Sequence, residues 1–215
     1  MNFPLTSLYD TIQPVYTRIE STGEDAISPN HIFCDASIPP ADYFTVKIKP
    51  TKSFPSIWGN KVVIKNNYGK RTSVKKADWQ NEWLTASFND FGSYQAFVDT
   101  EAPGINVPGR GDTIDLSGAA RLVFTPTDNF GIKSFRAELD GKWLMFTNDK
   151  GRNHIYKFDE RCAYGVHMLK VAVTDLVGNT TVKEWWFKRY AYTPKKPKAP
   201  KKPATKKKPV KKKKS

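Results

Sequence analysis

Apolar and polar residues alternate along much of the chain with the two-residue period of half-buried β-strands. In the second half of the chain, residues 135–139 and 169–173 follow this period, and turn residues separate such runs. Asp140-Gly141 lies between two apolar runs and predicts a hairpin, because glycine accepts the positive φ of a tight turn. Six or seven short strands at this spacing predict an antiparallel sandwich over residues 100–190.

The first 99 residues show the same period less regularly. Phe44, Val46 and Ile48 alternate with polar neighbours, and Asn66-Asn67-Tyr68-Gly69-Lys70 has the composition of a hairpin turn. Residues 20–42 contain three prolines and predict a long loop. The pattern therefore predicts a first, irregular β-sandwich over residues 1–99.

A short internal repeat favours two copies of one architecture. Gly92 opens an alternating run that an aspartate follows, and Gly165 opens a similar run 73 positions later. The alternative is that any late strand of a sandwich looks like this.

Charge is distributed unevenly along the 215 residues. The formal net charge is +14, but 12 lysines and no acidic residue lie in residues 195–215, so the rest of the chain carries only +2. Repulsion among the lysines, recurrent prolines and the lack of large apolar side chains predict a disordered tail over residues 191–215.

Twelve closely spaced ammonium groups would attract polyanions such as nucleic acid, anionic lipid or an anionic envelope polymer. The tail lacks arginine for bidentate base contacts and aromatic rings for stacking, so it would not select a nucleic-acid sequence. A solubilising spacer is the alternative. The predicted polyanion-binding residues are Lys195, Lys196, Lys198, Lys201, Lys202, Lys206, Lys207, Lys208, Lys211, Lys212, Lys213 and Lys214.

Several segments resemble known bacterial domains. Residues 98–105, 128–143 and 171–179 are similar to segments of bacterial immunoglobulin-like domains. Residues from about 40 to 188, in particular 143–151 and 156–160, resemble the C-terminal region of lysostaphin-type (murein) zinc endopeptidases. The resemblance implies an all-β chain of two tandem antiparallel immunoglobulin-like sandwiches, without the catalytic domain and followed by the Lys/Pro-rich tail.

The residues do not complete the zinc motif of those peptidases, which pairs H-x-x-x-D with a later H-x-H. His31 and Asp35 spell the first half, but neither His154 nor His167 starts the second. A catalytic zinc needs three convergent protein ligands and an open position for water. We therefore expect neither enzymatic activity nor a cofactor in this chain, with zinc held only by the catalytic domain of the parent enzyme.

Other candidate chemistry is sparse. Cys162 and His167 suggest a Cys/His pair, but strand alternation should separate them, and a small buried thiol is the competing interpretation. A disulfide between Cys34 and Cys162 would join the two units, and the sequence leaves it open. Asp128, Asp175 and Asn179 suggest calcium ligands or, as the alternative, Asx turns.

Trp185 and Trp186 are adjacent in a predicted strand, so one side chain should face the core and the other should face outward. An outward tryptophan could stack on a sugar ring or pack on a neighbouring domain. Both residues are therefore candidates for ligand stacking.

The resulting hypothesis is a non-catalytic accessory region that works with an upstream or separate peptidase domain at the cell envelope. The alternative is a cytoplasmic protein whose tail binds nucleic acid without sequence preference. The start of the chain lacks the pattern of a signal peptide, which favours the cytoplasm if the chain is complete. No run of about 18 apolar residues predicts a membrane-spanning helix.

Overall fold

A computed structural model describes residues 1–4, 7–21, 23–149 and 151–192 of the chain. The prediction of a disordered tail concerns residues 191–215, and all but Ala191 and Tyr192 of these lie outside the described residues. Within the described ranges, no helix has the length and apolar character needed to cross a membrane.

The first sandwich consists of a five-stranded and a three-stranded sheet, and every strand pairs with its neighbours in the antiparallel sense. The strand order is β1-β2-β8-β4-β5 in the larger sheet and β3-β7-β6 in the smaller one. The strands are β1 (Tyr16–Ile19), β2 (Asn30–Phe33), β3 (Phe44–Ile48), β4 (Val62–Tyr68), β5 (Arg71–Lys76), β6 (Asp78–Gln80), β7 (Trp83–Phe88) and β8 (Gly92–Val98), with a 3₁₀ turn at Ser56–Trp58.

The predicted alternation is realised in the core of this sandwich. Phe44, Val46 and Ile48 of β3 are buried, and Tyr94 and Ala96 of β8 face them across the space between the sheets. Burial on one face of each strand is what the two-residue period requires.

The prediction of a loop over residues 20–42 is wrong in part, because β2 lies within it. β2 pairs with β1 on one side and with β8 on the other. All four β2 residues are half-buried, so the strand has no alternating burial that a pattern could reveal. Its conformation depends on partners that are distant in the chain.

The second sandwich follows the same plan, with one five-stranded and one three-stranded sheet. The larger sheet has the order β12-β11-β15-β16-β9 and the smaller one β10-β14-β13. The strands are β9 (Thr113–Asp115), β10 (Arg121–Phe124), β11 (Ile132–Leu139), β12 (Lys142–Leu144), β13 (Thr147–Asp149), β14 (Asn153–Lys157), β15 (Gly165–Asp175) and β16 (Thr180–Arg189). The predicted all-β fold of two sandwiches is therefore confirmed, with one departure, since β9 pairs with β16 in parallel.

Both predicted hairpin turns are present. Gly69 has a φ of 59° in the turn that joins β4 to β5. Asp140 and Gly141 have φ values of 50° and 78° between β11 and β12, the two positive values that a type I′ turn requires. These short-range signals could be read from sequence because the turn backbone admits few residue types.

Gly92 and Gly165 are the two glycines of the short internal repeat. Each is the first residue of a strand inside a five-stranded sheet. Their φ values are 142° and 152°, which side chains rarely adopt. Their surroundings differ, because a Cβ at Gly92 would lie 2.3 Å from the Asn67 carbonyl oxygen, whereas the nearest atom at Gly165 is 3.8 Å away.

We expect Gly92→Ala to lower the free energy of unfolding by about 3–4 kcal/mol and Gly165→Ala by about 1–2 kcal/mol. Both substitutions strain the backbone, and only Gly92→Ala also forces β4 and β8 apart. Urea denaturation measures both values on the same scale. Equal losses would show that the approach of the Asn67 carbonyl does not constrain position 92.

Candidate functional site

The second sandwich has a cleft of about 900 Å³. It lies between β11 and β12 of the larger sheet and β13 and β14 of the smaller one, and the segment after β10 closes one end. β12 and β13 are edge strands of their sheets, so the cleft opens where the two layers are not joined by hydrogen bonds. A space of this size can hold a small molecule or part of a polymer.

Aromatic side chains form the floor of this cleft. The ring of Phe135 stacks on the imidazole of His154 with a centroid distance of 4.0 Å and an angle of 10° between the ring planes. Phe146 meets Phe135 edge-on at 5.2 Å, and both rings approach the buried Phe124. The floor is therefore held by the core and presents fixed aromatic surfaces.

Trp143 lies on the wall of the cleft and is 61% exposed. It occupies the middle of β12, directly after the Asp140-Gly141 turn, while the next residue, Leu144, is buried in the core. Trp143 is not among the site residues predicted from the sequence. Its alternation with Leu144 was a signal that could have placed this tryptophan outward.

Polar groups line the rest of the cleft. Asp128 accepts hydrogen bonds from the backbone N–H groups of Phe130 (2.9 Å) and Gly131 (2.7 Å) through Oδ2. Its Oδ1 is buried without a hydrogen-bond partner among the described residues. Lys133 and Arg152 add positive charge. Burial lowers the pKa of His154, which favours the neutral form of its imidazole. The cleft thus combines apolar rings with donors and acceptors.

A second polar cluster lies between the two sandwiches. The Asn179 amide nitrogen lies 3.1 Å from the carbonyl oxygen of Asp99, 3.0 Å from that of Glu101 and 2.7 Å from Oδ2 of Asp175. On the other side of the joint, the Lys61 ammonium donates to the Val177 carbonyl at 3.3 Å. We call this cluster the joint.

The rings of Phe97 and Phe130 also meet at the joint, with a centroid distance of 5.3 Å. Phe97 belongs to β8 of the first sandwich, and Phe130 belongs to the turn before β11 of the second. The joint therefore combines an apolar contact with hydrogen bonds between the two units.

Asp99 has an unusual environment within the joint. Its side chain is fully buried, Oδ1 accepts from the Glu101 N–H at 3.3 Å, and Oδ2 has no partner among the described residues. Burial, together with the negative charges of Asp175 and Asp128, raises the pKa of Asp99 to about 6. Asp99 is therefore a group whose charge the fold disfavours.

The arrangement at the joint favours the Asx-turn interpretation over calcium binding. Asp175 Oδ1 accepts from the N–H groups of Val177 (2.9 Å) and Asn179 (2.8 Å), and its Oδ2 is taken by the Asn179 amide. Asp128 likewise bonds the N–H groups that follow it. Within the described ranges, no three histidine, cysteine or acidic side chains converge as a metal site would require.

The three histidines occupy separate places. His31 lies in β2, where Nδ1 is 2.8 Å from the Tyr16 hydroxyl, while Asp35 accepts from the Ser37 N–H beyond the strand. His154 stacks in the cleft. His167 contacts Asp140 (2.7 Å) and the Ala163 carbonyl (2.9 Å) with its two ring nitrogens. The fold keeps the three histidines apart from one another.

The two cysteines are free and lie in different sandwiches. Cys162 is fully buried, and burial raises the pKa of its thiol, which disfavours the thiolate that a nucleophile needs. The burial and the raised pKa of the thiol support the interpretation of Cys162 as a buried thiol. The Cys34–Cys162 disulfide is not formed in this structure.

The paired tryptophans point to opposite faces of β16. Trp185 packs on Phe124 at 5.5 Å at the margin of the core, and Trp186 is 55% exposed on the outer face of the sheet. Of the two, only Trp186 offers an exposed surface for stacking, and ligand binding by either residue stays a prediction.

The predicted polyanion-binding lysines, Lys195 to Lys214, lie outside the described residues.

Residues 1–99 match the family model of the Zu5-like domain. This segment contains every strand of the first sandwich, so the similarity covers that sandwich and not the cleft-bearing one. No curated protein matches the chain.

We expect Asp99→Asn to stabilise the protein at pH 7.5 by about 1–2 kcal/mol and to have little effect near pH 4. The folded-state pKa of Asp99 is raised above the ordinary 3.8, so its contribution to stability is fully present below pH 3.8 and is lost as the pH rises through about 6. Asparagine keeps the acceptor for the Glu101 N–H but carries no charge.

Thermal unfolding from pH 4 to pH 8 measures this effect, and Glu101→Gln, a neighbouring exposed carboxylate, is the control. A stabilisation that is the same at pH 4 and pH 8 would mean that the charge of Asp99 is not its cause.

Proposed function

We propose that this chain is a non-catalytic binding module that attaches to an anionic, saccharide-containing polymer of the cell envelope. The cleft of the second sandwich holds a short saccharide segment, and the Lys-rich residues 195–214 attract the anionic groups of the same polymer. The resemblance to lysostaphin-type endopeptidases supports an accessory role beside an upstream or separate peptidase domain, which would supply the zinc and the hydrolysis.

The single observation that carries this proposal is the composition of the cleft. Sugar rings present an apolar face of C–H groups and a rim of hydroxyls, so they suit a site that combines aromatic surfaces with hydrogen-bonding groups. Trp143 offers an exposed ring, and Phe135 and His154 form a stacked floor. The exposed side chains of Asn148 and Arg152 supply an acceptor and a donor.

Charge segregation supports the choice of an anionic polymer. The net charge of +14 falls to +2 without residues 195–215, so the two sandwiches contribute little general attraction to anions. Clustered lysines raise the local concentration of a polyanion at low salt but provide no shape selectivity. Selectivity in this proposal comes from the cleft and attraction from the lysines.

We expect Trp143→Ala to weaken binding of soluble peptidoglycan glycan strands by about 3- to 10-fold, the range of a lost aromatic stacking contact. Trp83→Ala is the control, because it removes an exposed tryptophan from the first sandwich, away from the cleft. Isothermal titration at 150 mM salt measures both affinities. Equal affinities for the two variants would contradict binding in the cleft.

We expect a chain that ends at Tyr192 to lose retention on teichoic-acid-type polymers at 50 mM salt, since it lacks the 12 lysines. The affinity of the full chain should fall steeply with salt, as for any polycation that displaces counterions. Duplex DNA of equal charge density is the comparison ligand. Retention on DNA that exceeds retention on the envelope polymer would favour the alternative, sequence-independent nucleic-acid binding.

A further inference from the structure

Positive charge in the first sandwich is concentrated in one stretch of the chain, which covers β3, β4 and β5. Residues 43–77 contain nine basic residues and no acidic residue. The other residues up to 194 comprise 14 basic and 21 acidic residues, a net charge of −7. The small net charge of residues 1–194 therefore conceals a strong separation of charge. The nine basic residues are Lys47, Lys49, Lys52, Lys61, Lys65, Lys70, Arg71, Lys75 and Lys76.

Protection of sheet edges does not by itself explain this bias. β3 and β5 are edge strands, and charged side chains on an edge discourage pairing with another chain. Charge of either sign serves that purpose. Nine cations without one carboxylate over residues 43–77 instead create a local field that attracts anions. The bias therefore indicates an anionic partner.

An open groove of about 440 Å³ brings part of this charge next to neutral polar side chains. Lys75 and Lys76 line it from the end of β5, and Thr45 and Ser87 line it from the paired strands β3 and β7. Both lysines are exposed, and neither forms an ion pair with a described residue. Asp78 is the only carboxylate among the described residues that line the groove. The groove therefore offers two available ammonium groups beside hydroxyl groups.

The groove lies on the outer face of the smaller sheet, where side chains are accessible. Val46 and Ile48 of β3 are buried in the core, so the alternating residue Lys47 faces outward, and it is exposed. Tyr43, directly before β3, lines the groove and is 53% exposed. Trp83 lies at the opposite end of β7 and does not line the groove. The surface thus combines an aromatic ring, hydroxyl groups and cations.

These groups match an anionic polysaccharide better than a nucleic acid. Sugar hydroxyls can exchange hydrogen bonds with the groove, a sugar ring can lie on Tyr43, and acidic groups can pair with Lys75 and Lys76. Proteins that bind single strands without sequence preference stack successive bases on several aromatic side chains. The described lining of the groove provides one such side chain.

We propose that this groove binds an anionic polysaccharide, so that the folded first sandwich makes a contact of its own with the polymer. Lys75 and Lys76 hold the acidic groups, and Tyr43, Thr45 and Ser87 contact the sugar rings. The inference rests on the proposed function only for the choice of an envelope polysaccharide as the partner.

The test is titration of the full chain with hexagalacturonate at 150 mM salt while the backbone amides of Thr45 and Ser87 are followed by NMR. We expect saturable shifts of both amides. Maltohexaose, which is neutral, should bind about ten-fold more weakly, and hexathymidylate should also bind this groove more weakly than hexagalacturonate. Unchanged amides, or an oligonucleotide that binds the groove as tightly as the acidic sugar, would overturn the proposal.

The same spectra distinguish this inference from the proposed function, because the amides of Asn148 and Arg152 report on the cleft. Shifts at Thr45 and Ser87 without shifts in the cleft would support the groove and count against binding in the cleft. Shifts in the cleft alone would overturn the groove and leave the proposed function standing.

Two double charge reversals sharpen the test. Lys75→Glu with Lys76→Glu should weaken the affinity that the two amides report by about ten-fold, the loss expected for two exposed charge pairs. Lys70→Glu with Arg71→Glu makes the same change of net charge around the β4–β5 turn, outside the groove, and should change it by less than about two-fold. Circular dichroism checks folding, and glutamine replaces glutamate in a variant that does not fold. Equal losses would reduce the interaction to general charge attraction and refute a site in the groove.

Discussion

The contact between the two sandwiches centres on one partly buried hydrogen-bond network, in which the Asn179 side chain connects Asp175 of the second sandwich to the carbonyl groups of Asp99 and Glu101. A buried polar group is costly unless it is paired, so this network has a defined geometry only when both units are in place. It also confines the Asp99 carboxylate near two other acids, which is why the fold disfavours its charge. The network thereby holds the start of the linker after β8, at Asp99 and Glu101, against the second sandwich.

The candidate cleft arises from a general feature of sandwich architecture. Two layered sheets seal their inner faces at the centre but diverge at their sides, where edge strands do not pair with each other. The cleft opens at such a side, between β12 and β13. The side chains near these two edge strands give the cleft its mixture of polar and aromatic groups.

The two halves of the proposed activity depend on different physical effects. Attraction by residues 195–214 is long-range, weakens with salt and does not depend on folding. Recognition in the cleft needs the stacked pair of Phe135 and His154, which approach at 4.0 Å although they lie on different sheets. In this proposal, the nearly neutral residues 1–194 supply selectivity and the lysine-rich residues 195–214 supply attraction.

The sequence by itself determined the strand-rich class, the turns at Gly69 and Asp140-Gly141, the outward and inward faces of β16, and the concentration of lysine near the C-terminus. These features depend on local backbone sterics, on a two-residue period or on composition, all of which can be recognised within a short stretch of sequence. Only the tertiary structure decided that β2 is a strand, that Asp99 meets Asp175, and that His154 and Phe135 share a cleft with Trp143. These results depend on residues far apart in the chain, and no local pattern encodes which distant partner will satisfy a buried polar group or an unpaired strand edge.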